Sequence, residues 1–306
     1  QRPAGQPNIN AEEYKSLTFP LPPFEIQKKV VKIFSLAYEQ KKQNEAEAEK
    51  LLASIDDYLM KELGITLPTP PENILKNRIF TSSLNGLSGN RYDPHFHQAK
   101  FKEIEKHLYA GKFPISKLKK VSTVITSGAT PKAGGDAYTD DTNTGIPFIR
   151  SGEINEIDFG SALHITREIH NSMLKSSQLK KRDLLIAIVG ATIGQIGIYN
   201  YDREANINQA IAVVRLKNEI EVEFAESFLK SALGKSILDR IKRPVARANI
   251  NLDEIGIIPI PVPPLAKQKE IAEHITDIRK QAQQLKDKTK EELKKASEEI
   301  EKILLT

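Results

Sequence analysis

The sequence predicts an α+β protein: one globular mixed α/β domain and two long helices that pair as an antiparallel coiled coil. Three observations carry this. From Phe24 to Leu63 there is neither proline nor glycine, and Ile26, Val30, Ile33, Ala37, Ala48, Leu52, Ile55, Leu59 and Leu63 follow helical spacing. A second stripe runs through Ile271, Ile275, Ile278, Ala282, Leu285, Leu293, Ala296, Ile300 and Ile303. Between the two, short apolar runs bounded by glycine, proline and asparagine predict strands and turns, mostly antiparallel, with peripheral helices.

One module occurs twice. Phe19-Pro20-Leu21-Pro22-Pro23-Phe24-Glu25-Ile26-Gln27-Lys28 returns as Ile260-Pro261-Val262-Pro263-Pro264-Leu265-Ala266-Lys267-Gln268-Lys269. In the same register Arg2-Pro3 answers to Arg243-Pro244, Asn8-Ile9-Asn10 to Asn249-Ile250-Asn251, and Glu13 to Glu254. Solenoid repeats are shorter, roughly 20–50 residues. This is one connector used twice, with a globular domain between the copies.

Taken in order, residues 1–23 are expected to be the tail of a preceding globular unit, and the chain the C-terminal part of a longer protein. Pro20, Pro22 and Pro23 forbid a helix before about Phe24, because proline has no amide proton and restricts its predecessor. The first helix would be a rod of roughly 60 Å at about 1.5 Å per residue. Gln40 and Asn44 interrupt its seam, as register-setting polar residues do, and Gly64 is placed to stop it. Residues 64–90 read as a linker, with contacts expected at Ile74, Leu75, Ile79 and Phe80. A helix is expected within Tyr92 to Tyr109, strands at Val121 to Thr126 and Ile146 to Arg150, and a buried strand at Asp183 to Val189. That last strand turns at Gly190 to Gly194 and returns as Gln195 to Tyr199; glycine suits the positive φ of such a turn. A further strand is expected over Ile207 to Leu216 and one amphipathic helix over Phe224 to Ile241. The second long helix runs from Pro263 to the end, and a matching partner would bury its stripe most simply as an antiparallel pair.

The chain has 306 residues, a net charge of +5 and no cysteine. Disulfides and thiolate metal sites are excluded, which suits a reducing compartment. No apolar run approaches the ~20 residues that span a bilayer, and a soluble intracellular protein is the expectation. The charge is compatible with nucleic acid, and basic residues collect at Lys117-Lys119-Lys120, Lys180-Lys181-Arg182 and Arg240-Lys242-Arg243-Arg247.

Catalytic motifs are wanting. Leu21-Pro22-Pro23-Phe24 shares a Pro-Pro-aromatic ending with the catalytic tetrapeptide of amino-methyltransferases, but leucine offers no side-chain acceptor for the target amine. The second copy also lacks the aromatic ring. Gly190 to Gly197 has no lysine-Ser/Thr ending of a P-loop. Asp93, His95 and His97 match no metal motif, and Asp140-Asp141 and Glu156/Asp158 read as solvated carboxylates. Recognition chemistry is left. Arg and Lys read guanine edges, Asn and Gln read adenine, and Ser/Thr or acidic residues read others. Such residues stand at loop ends: Thr130 and Lys132; Arg150, Ser151 and Glu153; Thr192 and Gln195; Asn206, Asn208 and Gln209; Arg243, Arg247 and Asn249. Each alone suits a solvated loop; together on one face they suit a nucleic-acid reader.

With the doubled Pro-x-Pro-Pro elbow, the Gln-Lys after it and the long helix, the chain resembles specificity subunits of type I restriction–modification systems. Arg91-Tyr92-Asp93-Pro94, Gly128-Ala129-Thr130-Pro131, Ile146 to Ile154, Leu184 to Gly194 and Asn206-Ile207-Asn208-Gln209-Ala210 match as well. The resemblance implies that residues 1–23 end a first target-recognition domain and that 24–63 are the central conserved helix. It implies a linker at 64–90, a target-recognition domain at 91–258 and a distal conserved helix at 259–306. The chain departs from the family's full subunits in lacking most of the first recognition domain. The resemblance further implies a non-enzymatic, cytoplasmic DNA-binding subunit that holds no cofactor and meets no membrane. Its partners would be double-stranded DNA, adenine methyltransferase (modification) subunits and a restriction endonuclease subunit, with self-association possible through the helices. Those partners would use S-adenosylmethionine, ATP and Mg2+. Two recognition domains held inverted by the helices would read a bipartite site, and a ~60 Å rod corresponds to somewhat under two turns of DNA. The competing readings are the recognition part of a single-chain restriction–methylation enzyme and a coiled-coil adaptor with no DNA function.

Overall fold

The computed structural model describes residues 10–18, 21–69, 72, 74–81, 91–132, 135–243 and 248–305. Arg2-Pro3, Asn8-Ile9, Phe19-Pro20, the Ser/Gly-rich part of the linker, Pro244 and Arg247 lie outside them. The chain divides into two compact units, one formed by Gln1–Leu52 with Ile278–Thr306 and the other by Ala53–Asp277.

In the first unit, helix α1 (Ala11–Lys15) begins at a capping box. Asn10 Oδ1 accepts the Glu13 N–H at 2.9 Å, and the Glu13 carboxylate accepts that of Asn10 at 3.0 Å. The Pro22-Pro23 elbow then hands the chain to α2 (Phe24–Leu63), whose length matches the proline- and glycine-free run. Its partner, α9 (Leu265–Leu305), is equally uninterrupted. The polar break in the seam proves to be a buried link between the helices. Asn44 Nδ2 donates to Thr289 Oγ1 at 3.1 Å and to Glu292 Oε2 at 3.3 Å, and Gln40 Nε2 donates to Asn44 Oδ1 at 2.9 Å. A one-turn slip would strand these amide groups away from water, so the pair fixes register at some cost in stability.

In the second unit the same helices meet again. Glu62 pairs with Lys267 at 2.6 Å, and the Tyr58 ring lies 4.1 Å from that of His274. Residue numbers fall along one helix as they rise along the other, so the pair is antiparallel. Helix α2 ends at Gly64, whose φ of 65° lets Ile65 N donate back to Met60 O at 2.9 Å. Ile65 then enters the core rather than a free linker. Around α3 (Leu75–Arg78), Ile74, Leu75 and Ile79 are exposed, while Phe80 is half-buried.

The rest of the second unit is built on three small sheets. After α4 (Ala99–Tyr109) come β1 (Ile115–Lys117), β2 (Ser122–Ser127), β3 (Ile146–Ile149), β4 (Leu163–Ile165) and α5 (Arg167–Asn171). Then follow β5 (Asp183–Ala187), β6 (Ile196–Tyr199), β7 (Asn206–Ile207), β8 (Ile211–Leu216), α6 (Val222–Lys230), α7 (Ala232–Ile241), α8 (Leu252–Gly256) and β9 (Pro259–Pro261). The main sheet has the order β2-β8-β5-β6 and is antiparallel throughout. A second sheet, β4-β3-β7, includes one parallel pair, and β1 pairs with β9. Leu184, Ile186, Ala212 and Val214 on one face of the main sheet meet Phe224 and Phe228 of α6, Leu59 of α2, and Ile271 and Ile275 of α9 in one apolar core.

Two expected elements are divided. The strand expected over Ile207 to Leu216 breaks at Asn208, whose Oδ1 accepts the Ala210 N–H at 3.1 Å. This side-chain turn sends β7 and β8 into different sheets. The helix expected over Phe224 to Ile241 breaks at Ser231 (φ −65°, ψ 165°), whose Oγ accepts the Gly234 N–H at 3.1 Å and donates to Phe228 O at 2.7 Å. Ser231 thus closes one helix and caps the next.

Candidate nucleic-acid interface

Strand direction places the candidate loops. β2 and β5 point the same way, with β8 antiparallel between them and β6 antiparallel beyond β5. The C-terminal ends of β2 and β5 and the N-terminal ends of β8 and β6 therefore share one edge of the main sheet. From that edge leave the loop after Ser127, the turn at 188–195 and the turn at 208–210. The second sheet brings a fourth loop there, because β3 runs parallel to β7 and Asn208 N donates to Ile149 O at 3.1 Å. The segment 248–250 closes the group: Ile250 N donates to Ile188 O at 2.9 Å and Gly190 N to Ala248 O at 3.2 Å.

Glycine permits this crowding. A Cβ on Gly128 would lie 1.8 Å from Ile207 O, and one on Gly197 would lie 2.1 Å from Ile154 O. Gly190 and Gly194 have φ of 78° and 87°, as a tight hairpin requires.

Thr130 Oγ1 donates to Gln209 Oε1, joining two of the loops, and both residues are exposed. Lys132 is exposed and has no ion pair among the described residues. Arg150 is exposed at the end of β3 but is held. Its Nε donates to Glu153 Oε1 at 2.9 Å and its backbone N to Glu153 Oε2 at 2.8 Å. Glu153 is thereby the orienting group for Arg150, with Ser151 half-buried between them. Thr192 and Gln195 lie in the hairpin, where Gln195 N donates to Thr192 O at 3.0 Å. The Gln195 Oε1 is buried and has no hydrogen-bond partner among the described residues. Asn208 spends its Oδ1 on its own turn. Asn249 pairs through its backbone with both Val189 and Arg243.

Two candidates are tied into the fold by their side chains. Asn206 is fully buried; its Nδ2 donates to Leu174 O at 2.8 Å and its Oδ1 contacts His170 Nδ1, so it ties β7 to the segment after α5. Arg243 is exposed, yet its Nε donates to Glu254 Oε1 at 3.1 Å. The same carboxylate takes Arg91 Nη1 at 2.9 Å, and the Arg243 backbone bridges to Asn249. Arg247 lies outside the described residues.

The His-rich trio is structural. His97 Nε2 lies 2.7 Å from Arg91 O, and His95 Nε2 lies 2.8 Å from Asp239 O. Burial pushes the Asp93 carboxyl up, but the Arg91 guanidinium and the Phe96 N–H outweigh it and hold it below the usual carboxylate range. Asp141 and Asp158 close their own turns, accepting from Asn143 N and Gly160 N at 2.9 Å each. Among the described residues there is no group of three or more His, Asp or Glu able to hold a metal ion, and no helix long and apolar enough to cross a membrane.

Sequence reasoning passed over Gly197 and Glu254 as site residues. Glycine inside a strand pattern was the signal for the first; the second had only its place in the repeat.

Comparison with known proteins agrees with this architecture. The family model for the type I restriction modification DNA specificity domain matches residues 111–295. The EcoBI type I restriction enzyme specificity subunit of Escherichia coli is 34% identical over 142 residues, covering 45% of this chain and 30% of that protein. The MjaVIII specificity subunit of Methanocaldococcus jannaschii is 25% identical over 311 residues, covering 99% and 64%. The chain therefore spans less than two thirds of these relatives. The crystal structure of a type I S subunit from M. genitalium shares the fold, with a TM-score of 0.53 at 17% identity over 97% of this chain and 65% of that one. With more than half of its residues matched by the family model, the chain belongs to the type I restriction modification DNA specificity domain family.

Proposed function

We propose that this chain reads duplex DNA as a target-recognition part of a type I restriction–modification complex and performs no catalysis itself. The observation that carries the reading is the convergence of four loops and the segment 248–250 on one sheet edge. There Lys132, Arg150 held by Glu153, Thr192, Gln195 and the Thr130–Gln209 pair offer donors and acceptors suited to base edges and phosphates. The antiparallel helices are read as the spacer of a bipartite site and as a docking surface for adenine methyltransferase subunits, with a restriction subunit joining them in the cell's cytoplasm. S-adenosylmethionine, ATP and Mg2+ then belong to those partners.

Binding of the complex with modification subunits to duplexes of varied sequence tests this. Arg150→Ala should weaken binding to the preferred duplex by about 1–3 kcal/mol, the worth of a bidentate base contact, and relax preference at one position. Equal binding of all duplexes, unchanged by Arg150→Ala, would overturn the reading. Cofactor binding by the chain alone would instead favour a single-chain enzyme.

A further inference from the structure

The turn from Arg150 to Glu153 is held at both ends by the core. Ile149 and Ile154 are buried in one apolar cluster. Ile149 O accepts the Asn208 N–H at 3.1 Å, and Gly197 admits the Ile154 carbonyl where a Cβ would come within 2.1 Å of it. Between these anchors Glu153 N donates to Arg150 O at 2.9 Å, and a Cβ on Gly152 would meet nothing within 4 Å. A tight turn with fixed ends and an open tip can aim a side chain, because the backbone beneath it does not move.

Glu153 does the aiming. Its Oε2 accepts the Arg150 backbone N–H at 2.8 Å, and its Oε1 accepts Nε at 2.9 Å and Nη2 at 2.5 Å. Nε and Nη2 make up the lateral edge of the guanidinium, so the carboxylate occupies that edge and leaves the distal one. Among the described residues Nη1 has no hydrogen bond, and the Arg150 side chain is 51% exposed against 24% for Glu153. The long side chain is therefore ordered before a ligand arrives, which lowers the entropy cost of using it.

Charge and donor pattern together choose the ligand. The Arg150 charge is answered by Glu153, so its pull on a phosphate is weakened while the direction of its donors is kept. The free distal edge presents two parallel N–H donors and no acceptor. In the major groove only guanine sets two acceptors side by side, N7 and O6. Adenine follows N7 with a donor, thymine sets O4 beside a methyl group, and cytosine shows a donor. Glu153, whose residue type alone would suit cytosine, already turns both oxygens to Arg150.

We propose, on the footing that this sheet edge is the DNA face, that Arg150 reads the guanine of a G·C pair through the major groove and that Glu153 is its positioning residue. The preferred duplex then contains a guanine opposite this turn, and Glu153 contacts no base.

The test starts from duplexes selected out of a random pool by the complex with modification subunits. Arg150→Ala should relax preference at one position, and that position should be G·C. Base analogues then probe the contact on the unaltered protein. At that position 7-deazaguanine, which lacks the N7 acceptor, should weaken binding about tenfold, the worth of a hydrogen bond to a charged group. Inosine, which keeps N7 and O6 and lacks only the minor-groove amino group, should bind as guanine does. In the Arg150→Ala complex 7-deazaguanine should cost nothing further. Glu153→Ala should reduce preference at the same position and, by freeing the Arg150 charge for phosphate, steepen the slope of log K against log salt by about one. Unchanged preference and slope in that variant overturn the positioning role. A relaxed A·T position, an equal loss on every duplex, or a 7-deazaguanine penalty that survives Arg150→Ala overturns the guanine contact. Gln209→Ala separates this from failure of the DNA face. If it shifts preference elsewhere in the target while Arg150→Ala shifts none, the edge reads DNA without Arg150 and the proposal falls alone. If neither variant shifts any preference, the face itself is misassigned and the proposal falls with it.

Discussion

The two edges of the main sheet carry polar residues in comparable supply and use them oppositely. At the edge where β5 begins and β8 ends, the sequence concentrates cations: Lys181, Arg182, Arg215 and Lys217. Three of the four are paired with carboxylates. Lys181 pairs with Asp202, Arg182 with both Glu221 and Glu223, and Arg215 with Asp183, while Lys217 Nζ donates to Lys120 O at 2.6 Å. At the other edge fewer charges occur, but Lys132, Thr192 and Gln195 keep polar groups uncommitted to ion pairs. A cluster of basic residues in a sequence therefore does not locate a nucleic-acid face. Attraction to phosphate is left to cations whose charge is not already answered within the protein.

The comparison breaks most sharply at Asp183. Its side chain is buried and accepts Arg215 Nε at 2.8 Å, Arg215 Nη2 at 2.7 Å and Lys180 N at 2.7 Å. Asp183→Ala removes the partner and leaves a guanidinium half-buried, so stability should fall by about 3–5 kcal/mol. Chemical denaturation measures this. The fraction still folded should keep its preference among duplexes, because Asp183 stands at the edge away from the loops. Altered preference there would mean that the two edges are not separate in function.

A smaller loss of stability with a larger loss of recognition is expected at Gly128. Its Cα lies against the Ile207 and Asn208 carbonyls, where a Cβ would come within 1.8 Å of the first and 2.7 Å of the second. Gly128→Ala must push the 128–132 loop away, at about 1–3 kcal/mol for an overpacked site. The Thr130–Gln209 bond bridges the displaced loops and should break with it. Gel-shift titration of the assembled complex should show a loss of specific binding beyond what thermal melting accounts for. If binding falls only in step with stability, the loop does not meet DNA.

Much of this was legible in the chain, for identifiable reasons. Forty-odd residues without proline or glycine leave few alternatives to a helix, and a long apolar stripe on each of two such helices demands a partner. Gly64 and the Gly190–Gly194 turn were readable because positive φ is a glycine property. The division at Ser231 was not, since the apolar spacing runs on across it and the break depends on where Phe228 O lies. The parallel β3–β7 pair was hidden because it joins segments far apart in sequence. At the site, residue type showed which side chains can read a base but not which are free to do so. Asn206 and Gln209 look alike on paper. One is spent on Leu174 and His170 inside the fold, and the other stands exposed at the edge.

The finest discrimination between the edges comes from two lysines of equal charge. Lys181 and Asp202 form an exposed pair, so Lys181→Ala should change stability by no more than about 0.5 kcal/mol. Because its charge is answered locally and it lies at the closed edge, the salt dependence of DNA binding should be unchanged. Lys132 is exposed and unpaired among the described residues. If it meets a phosphate, Lys132→Ala should weaken binding to all duplexes alike and reduce the slope of log K against log salt by about one. Both variants lower the net charge by the same amount, so a general effect of charge would move both slopes together. Titrations at several salt concentrations separate the cases: a changed slope for Lys132→Ala alone supports the open edge as the DNA-facing one, and a changed slope for Lys181→Ala alone would reverse the assignment.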